Sequence, residues 1–225
     1  MVALPICAAR LNPSPQGQNR HNDPQMDHED HVRLIRDGVE GAGRCWLELG
    51  AGRGAFTLAL AELLGPGAEI VAVDRDAADL RRLAEAMGER FPATRLGTVT
   101  ADFRDELALG DEAFDGLLAA NSLHFVRDPA WVIKVVRPLL RPGARVVVVE
   151  YDNDGGNPWV PHPFSFGTWE AISTLAGLAD TRLVGRVPSR FLGAIYAAAS
   201  EFAPPPRDGS FAVLHSRPHG EDREE

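Results

Sequence analysis

The sequence predicts an α/β fold, in which helices pack on both faces of a mostly parallel sheet. Seven apolar segments of strand length are interspersed with segments whose apolar residues recur at helical spacing. The segment Glu69 to Asp74 is apolar almost without interruption, which is typical of a parallel strand buried on both faces. The last two strand segments, 181–187 and 191–198, flank Pro188 to Arg190 and predict a terminal hairpin. A hairpin there makes the last strand antiparallel.

The other elements follow from apolar periodicity and from the residues that stop each segment. Gly65 to Gly67 ends the first internal helix, and Pro92 ends the helix that begins at Ala77. Asp128 and Pro129 begin the next helix. The remaining predicted strands span 45–49, 95–101, 116–120 and 144–150, and a further helix spans 166–178.

Composition indicates a soluble globular protein, with one α/β domain favoured over two small ones. The 225 residues are 44% hydrophobic and 24% charged, which is ordinary for a globular protein. The net charge of −9 and the lack of a basic cluster disfavour a nucleic-acid partner. Cys7 and Cys45 do not form a disulfide framework, and no apolar run approaches the ~20 residues of a membrane helix. A cytoplasmic location without membrane attachment is expected, and the oligomeric state stays open.

The chain ends differ from its centre. Residues 1–25 are rich in Pro, Asn and Gln without periodicity, so we expect a disordered or mis-annotated leader, with Met26 as the natural start. Residues 26–202 then form the folded domain. The proline-rich and then charged residues 203–225 are expected to be a flexible tail.

A glycine-rich turn organises the centre of the chain. The strand Cys45 to Leu49 carries one acid, Glu48, and is followed by Gly50, Gly52 and Gly54 at alternate positions. Glycine permits positive φ and lets backbone N–H groups approach a ligand where a Cβ would collide. The helix after the turn presents free N–H groups to the same ligand. This arrangement predicts a nucleotide-cofactor site.

The next strand ends in a second candidate cofactor contact. Asp74 lies about twenty residues beyond the glycine turn, where folds of this kind place an acid on ribose hydroxyls. An acid there disfavours a 2′-phosphate. Asp74 is alternatively the cap of the following helix, although ribose binding is favoured. Arg75, the next residue, is a further candidate contact.

The E-x-G-x-G-x-G pattern of Glu48 to Gly54 resembles motif I of the class I S-adenosylmethionine (SAM)-dependent methyltransferases. The dinucleotide fingerprint has the different spacing G-x-G-x-x-G. FDGLLAANSLHFV, from Phe114, resembles motif IV of the small-molecule members, and LLRPGARVVVVEYD, from Leu139, resembles the signature of their fifth strand. The resemblance covers roughly residues 27–200. It implies a three-layer Rossmann-like sandwich, with a mostly parallel seven-stranded sheet whose last strand is antiparallel, and S-adenosyl-L-methionine as the cofactor.

The same resemblance implies roles for three more residues. Asp102 meets the adenine amino group, and Phe103 covers the ring, although Phe103 is equally interpreted as a core residue. Asn121 ends the fourth strand beside the reacting sulfonium. The chain lacks the Asn/Asp-Pro-Pro-aromatic motif of enzymes that methylate amino groups of adenine or glutamine. Asn121 also replaces the acid that catechol-type enzymes use for metal binding, so no metal is expected.

The implied reaction is methyl transfer to a small-molecule acceptor by in-line displacement, with the protein holding both reactants in near-attack geometry. A hydroxyl or an acidic carbon must lose a proton, and His124 is the first candidate base because an unperturbed imidazole titrates near pH 6.5. A lone histidine at a strand end is nevertheless more often a packing residue. Asp152 is the second candidate. Polar positions after the fifth strand are candidate substrate contacts, although each is equally interpreted as part of a solvated connection: Asp152, Asn157, Trp159, His162 and Ser165.

Two other functions share part of this pattern. A nicotinamide-dependent oxidoreductase also uses a glycine turn and an acid at Asp74. A non-catalytic SAM-binding or interaction module keeps the turn and lacks a polar acceptor pocket. The polar residues after strands four and five disfavour the second alternative.

Overall fold

The computed structural model describes residues 26–202, except 106, 108 and 110–112. The predicted leader, 1–25, and the predicted tail, 203–225, lie outside the described residues, so the domain limits remain a prediction. Within the described part, no helix is both long enough and apolar enough to cross a membrane.

Helices and strands follow one another as the apolar pattern predicts. The α-helices of the described chain are α1 (His28–Val39), α2 (Ala55–Leu64), α3 (Ala77–Arg90), α4 (Pro129–Val136) and α5 (Phe166–Leu175). The strands are β1 (Cys45–Leu49), β2 (Glu69–Asp74), β3 (Arg95–Thr100), β4 (Phe114–Ala120), β5 (Leu140–Tyr151), β6 (Leu178–Ser189) and β7 (Gly193–Phe202).

The strands form one sheet in the order β3-β2-β1-β4-β5-β7-β6. Strands β1 to β5 pair in parallel, and β7 pairs antiparallel with both β5 and β6. After β1, the chain forms β2 and β3 on one side of β1 and then crosses over to form β4 on the other side of β1. The carboxyl ends of β1 and β4 therefore form a topological switch point, where open α/β sheets bind ligands.

Helices cover both faces of this sheet, so the predicted three-layer fold class is confirmed. Alternate side chains of β1 point to opposite faces: Trp46 packs in the core beneath α1, α2 and α3, whereas Leu47 packs in the core beneath α4 and α5. The inner strands are buried on both faces, because each contributes apolar side chains to both cores.

The predicted limits of the last elements were wrong. Helix α5 ends at Leu175 rather than Leu178, because Gly177 adopts a positive φ of 79° and redirects the chain into β6. The final turn lies at 190–192, so Phe191 belongs to the turn and not to a strand. Strand β5 begins at Leu140 rather than Ala144, with a register irregularity against β4.

A glycine in β4 makes room for the largest side chain of the core, and this contact gives a stability prediction. A Cβ at Gly116 would lie 2.4 Å from the indole of Trp46, which is completely buried. We expect Gly116→Ala to lower the free energy of unfolding by about 1–3 kcal/mol, because overpacking displaces the indole. Urea unfolding followed by tryptophan fluorescence measures this change.

Gly97→Ala in β3 is the matched control, because its Cβ would contact Val71 at an ordinary 3.4 Å. We expect the unfolding midpoint of this control to stay close to that of the original protein. Equal midpoints for the two variants would contradict the prediction.

Candidate active site

A cavity of about 360 Å³ lies at the switch point, at the carboxyl ends of β1 to β4. Its lining combines the glycine turn, carboxylates, guanidinium groups and two phenylalanines. The residues that line it are Gly50, Gly52, Asp74, Arg75, Asp76, Asp79, Ala101, Asp102, Phe103, Arg104, Asn121, Ser122 and Phe125. Seven of the nine predicted cofactor contacts are therefore brought together here, and the other two, Glu48 and Gly54, lie outside the lining.

The glycine turn is held closely against its neighbours. The N–H groups of Gly50 and Ala51 donate to the carbonyl of Val73 at the end of β2, at 2.8 and 3.1 Å. Gly50 has a φ of 73°, and a Cβ there would lie 2.5 Å from the Cβ of Ser122. Ser122 in turn donates its hydroxyl proton to the carbonyl of Leu49. These contacts tie the ends of β1, β2 and β4 together.

The other two glycines of the turn have different surroundings. A Cβ at Gly52 would meet no atom within 4 Å, so its backbone faces open space at the cavity. A Cβ at Gly54 would lie 2.2 Å from Leu83 of α3, and Gly54 stands at the N-terminus of α2 with a φ of 86°. Gly52 is thus placed for ligand contact, whereas Gly54 permits close packing of α2 on α3.

Asp74 is directed at the glycine turn and does not cap α3. Its Oδ2 accepts the N–H of Gly52 at 2.8 Å, and its Oδ1 accepts the N–H of Asp76 at 2.8 Å. The helix cap is Asp76, whose carboxylate accepts the N–H groups of Ala78 and Asp79. Each oxygen of Asp74 already accepts one hydrogen bond, and a carboxylate can accept about four in all. Asp74 therefore keeps acceptor capacity at the cavity.

Asp102 and Phe103 form the wall beyond β3. The Nε–H of Arg104 donates to Asp102 Oδ1 at 2.8 Å, and the hydrogen bonding from this side chain lowers the pKa of Asp102 to about 2. Phe103 is only 9% exposed, belongs to the core and also lines the cavity. Phe103 is therefore a core residue that also lies at the cavity, and its contact with the adenine ring stays a prediction.

Two polar side chains near the turn each have a buried oxygen without a hydrogen-bond partner among the described residues. Asn121 has a φ of 50°, and its buried Oδ1 has no hydrogen-bond partner among the described residues. Glu48 is buried beneath the turn, and its Oε2 likewise lacks a partner there. Burial raises the pKa of Glu48 to about 7. Asn121 lines the cavity and Glu48 does not, so the amide of Asn121 is the one placed for ligand contact.

His124 forms a buried pair with an acid that sequence reasoning did not select. Its Nδ1 lies 2.7 Å from Oε1 of Glu150, the penultimate residue of β5, and both side chains are at most 4% exposed. Glu150 also accepts the backbone N–H groups of His124 and Tyr151, each at 3.1 Å. The ring of Phe125, which lines the cavity, lies 4.3 Å from that of His124. His124 therefore lies behind the cavity wall.

Asp152 and the other predicted substrate contacts are engaged in local structure. Asp152 Oδ1 accepts the N–H of Phe166 at the start of α5, and its Oδ2 lies 2.6 Å from the guanidinium of Arg186. Asn157 accepts two backbone N–H groups within its own loop, and Ser165 caps α5. The remaining two are Trp159, which is 73% exposed, and His162, whose N–H donates to the carbonyl of His124. None of them lines the cavity.

Fold and site together define a nucleotide-cofactor-binding α/β domain. Residues 47–146 match the family model described as a methyltransferase domain. An uncharacterized methyltransferase of Mycobacterium tuberculosis is 36% identical over 121 residues, which are 53% of this chain and 44% of that protein. An O-methyltransferase of Penicillium expansum is 29% identical over 115 residues, covering 51% of this chain and 41% of that one. The chain thus spans less than half the length of these relatives.

Solved structures share the fold. A SAM-dependent methyltransferase from Aquifex aeolicus superposes with a TM-score of 0.61 at 16% identity, over 77% of this chain and 90% of that one. The chain thus shares the fold of SAM-dependent methyltransferases, and its residues 47–146 are similar to a methyltransferase domain. These similarities favour S-adenosyl-L-methionine over a nicotinamide cofactor. The lining fits SAM, because it offers ribose-type acceptors on Asp74, an open glycine backbone and an unpartnered amide oxygen on Asn121.

Sequence reasoning missed Glu150 and Ser122, whereas it names Phe125 as an aromatic face for the cationic sulfur. Glu150 is the acid of the strand-five signature, and that position was its only signal in the sequence. No group of three His, Cys, Asp or Glu side chains suited to a metal ion occurs among the residues that the structure describes.

Proposed function

We propose that this protein transfers a methyl group from SAM to a small-molecule acceptor by in-line displacement, with His124 removing a proton from a hydroxyl or an acidic carbon. The observation that carries the proposal is the buried hydrogen bond between His124 and Glu150 behind the cavity wall. When bound, SAM supplies an electrophilic methyl group on a sulfonium sulfur. The similarity to an O-methyltransferase supports an acceptor of this size and chemistry.

Different lining residues hold different parts of the cofactor. Asp74 accepts hydrogen bonds from the ribose hydroxyls while it keeps the turn in place through Gly52. Asp102 accepts a hydrogen bond from the adenine amino group, and Phe103 covers the ring. Asn121 contributes its unpartnered amide oxygen to the methionine part of the cofactor. Arg75 lies at the same wall and balances part of the local negative charge.

Glu150 orients His124 for proton removal. In the neutral imidazole, an Nδ1–H that donates to Oε1 of Glu150 leaves Nε2 as the basic nitrogen. Nε2 has no hydrogen-bond partner within the described part of the chain. The two backbone N–H groups on Glu150 fix the position of its carboxylate, which also stabilises the imidazolium after proton removal. Asp152 is the weaker candidate base, because Arg186 and the N–H of Phe166 already occupy its oxygens.

Calorimetric titration with SAM, S-adenosylhomocysteine and NADH tests the proposed function. We expect micromolar binding of the first two and no binding of NADH. Release of S-adenosylhomocysteine from SAM in the presence of hydroxyl-bearing and carbon-acid acceptors then tests catalysis. SAM binding without release for any acceptor would favour the non-catalytic module. NADH binding without SAM binding would contradict the whole assignment.

A further inference from the structure

We infer that the acceptor is a planar, largely apolar molecule bound against a row of aromatic rings that leads away from the cofactor cavity. The inference rests on the proposed function, because it identifies the chemical class of the second substrate. The row, called the aromatic row below, consists of Phe125, His124, Tyr151 and Phe191.

Consecutive rings of the aromatic row lie within stacking distance of each other. The ring centroids of Phe125 and His124 are 4.3 Å apart, those of His124 and Tyr151 are 6.1 Å apart, and those of Tyr151 and Phe191 are 5.7 Å apart. These separations are typical of aromatic pairs, which favour offset or tilted contacts. Through these ring contacts the row links the segment after β4, the end of β5 and the β6–β7 turn.

The two ends of the aromatic row are exposed although their side chains are apolar. Phe125 is 50% exposed and Phe191 is 45% exposed, whereas His124 between them is buried. An exposed phenylalanine has a free-energy cost in water that a flat ligand removes by covering the ring. These two exposed rings, linked through the rings of His124 and Tyr151, indicate an apolar ligand that is longer than a single ring.

The aromatic row begins at the cofactor cavity, and this position indicates which molecule binds to it. Phe125 belongs both to the cavity lining and to the aromatic row, so a molecule on the row lies next to the cofactor. His124 is the second member of the row, and an acidic hydroxyl or C–H at that end of the ligand lies close to the proposed base. A planar π-system suits the ring faces, because aromatic contacts add to the stabilisation from area burial alone.

A pair of probes that differ in planarity tests the inference. 2-Naphthol and decahydro-2-naphthol have the same carbon number and one hydroxyl group, but only the first is flat. We expect 2-naphthol to bind about tenfold more tightly, in line with an aromatic contact of about 1–1.5 kcal/mol. Ligand-observed NMR measures both affinities, with and without S-adenosylhomocysteine.

Phe191→Ala and Leu183→Ala form a matched pair of variants. Both side chains belong to the β6–β7 hairpin and both are 45% exposed, but only Phe191 is in the aromatic row. We expect Phe191→Ala to weaken 2-naphthol binding about tenfold and to leave S-adenosylhomocysteine binding unchanged. We expect Leu183→Ala to leave both affinities within about twofold.

Three results would overturn the inference: no preference for 2-naphthol, an equal loss in both variants, or a homodimer that Phe191→Ala dissociates in sedimentation velocity. Each leaves the proposed function in place as long as S-adenosylhomocysteine binds. If that product fails to bind, the proposed function fails instead, and the naphthol titration without it still tests the aromatic row.

Discussion

Replacing His124 with Asn is expected to lower turnover by about 10²–10⁴-fold, the usual contribution of a positioned general base. The amide nitrogen of Asn takes the place of Nδ1 and preserves a donor to Glu150, so the buried carboxylate keeps its partner. Asn has no basic nitrogen in place of Nε2. Because His124 does not line the cavity, the affinity for SAM should stay within about twofold.

Steady-state kinetics with an acceptor found by product release, together with calorimetry, separates these two quantities. His28→Asn is the control: it makes the same chemical change in α1, where His28 pairs with Glu62, and should leave turnover unchanged. Full turnover in His124→Asn would remove His124 from the mechanism.

The second large effect is expected on cofactor affinity. Asp74→Asn removes the negative charge that we propose accepts the ribose hydroxyls and that accepts the N–H of Gly52. Hydrogen bonds to charged groups contribute about 1.5–3 kcal/mol, so we expect SAM and S-adenosylhomocysteine to bind roughly 10–100-fold more weakly. Calorimetric titration with both molecules measures the loss.

Glu69→Gln provides the control for Asp74→Asn. Glu69 begins the same strand that Asp74 ends, and it pairs there with Arg95, away from the cavity. Glu69→Gln should leave the affinities for SAM and S-adenosylhomocysteine unchanged. Because it changes the net charge by the same amount as Asp74→Asn, it separates a local effect at Asp74 from an effect of net charge. Loss of affinity in both variants, or in neither, would contradict the ribose role of Asp74. Adenosine should also lose its advantage over 2′,3′-dideoxyadenosine only in Asp74→Asn.

Much of the fold and of the cofactor site was predictable because it depends on local patterns. Strand β1 and helix α2 flank glycines, which permit positive φ, and the structure places Gly50, Gly52 and Gly54 in that conformation. The buried parallel strands were recognisable from uninterrupted apolar runs. Their limits were less accurate near Gly177 and in β5, where backbone conformation and the register against β4 decide the pairing.

The sequence by itself determined the fold class, the glycine turn and the acid at Asp74, because each depends on residues close together in the chain. Only the tertiary structure decided which distant side chains meet. His124 and Glu150 are 26 positions apart and come together because β4 and β5 are parallel neighbours that end at the same edge of the sheet. Strand order also brings Arg186 of β6 to Asp152 across β7, and the final turn brings Phe191 to Tyr151. Such contacts cannot be predicted from the spacing of residues along the chain, because strand order and register create them.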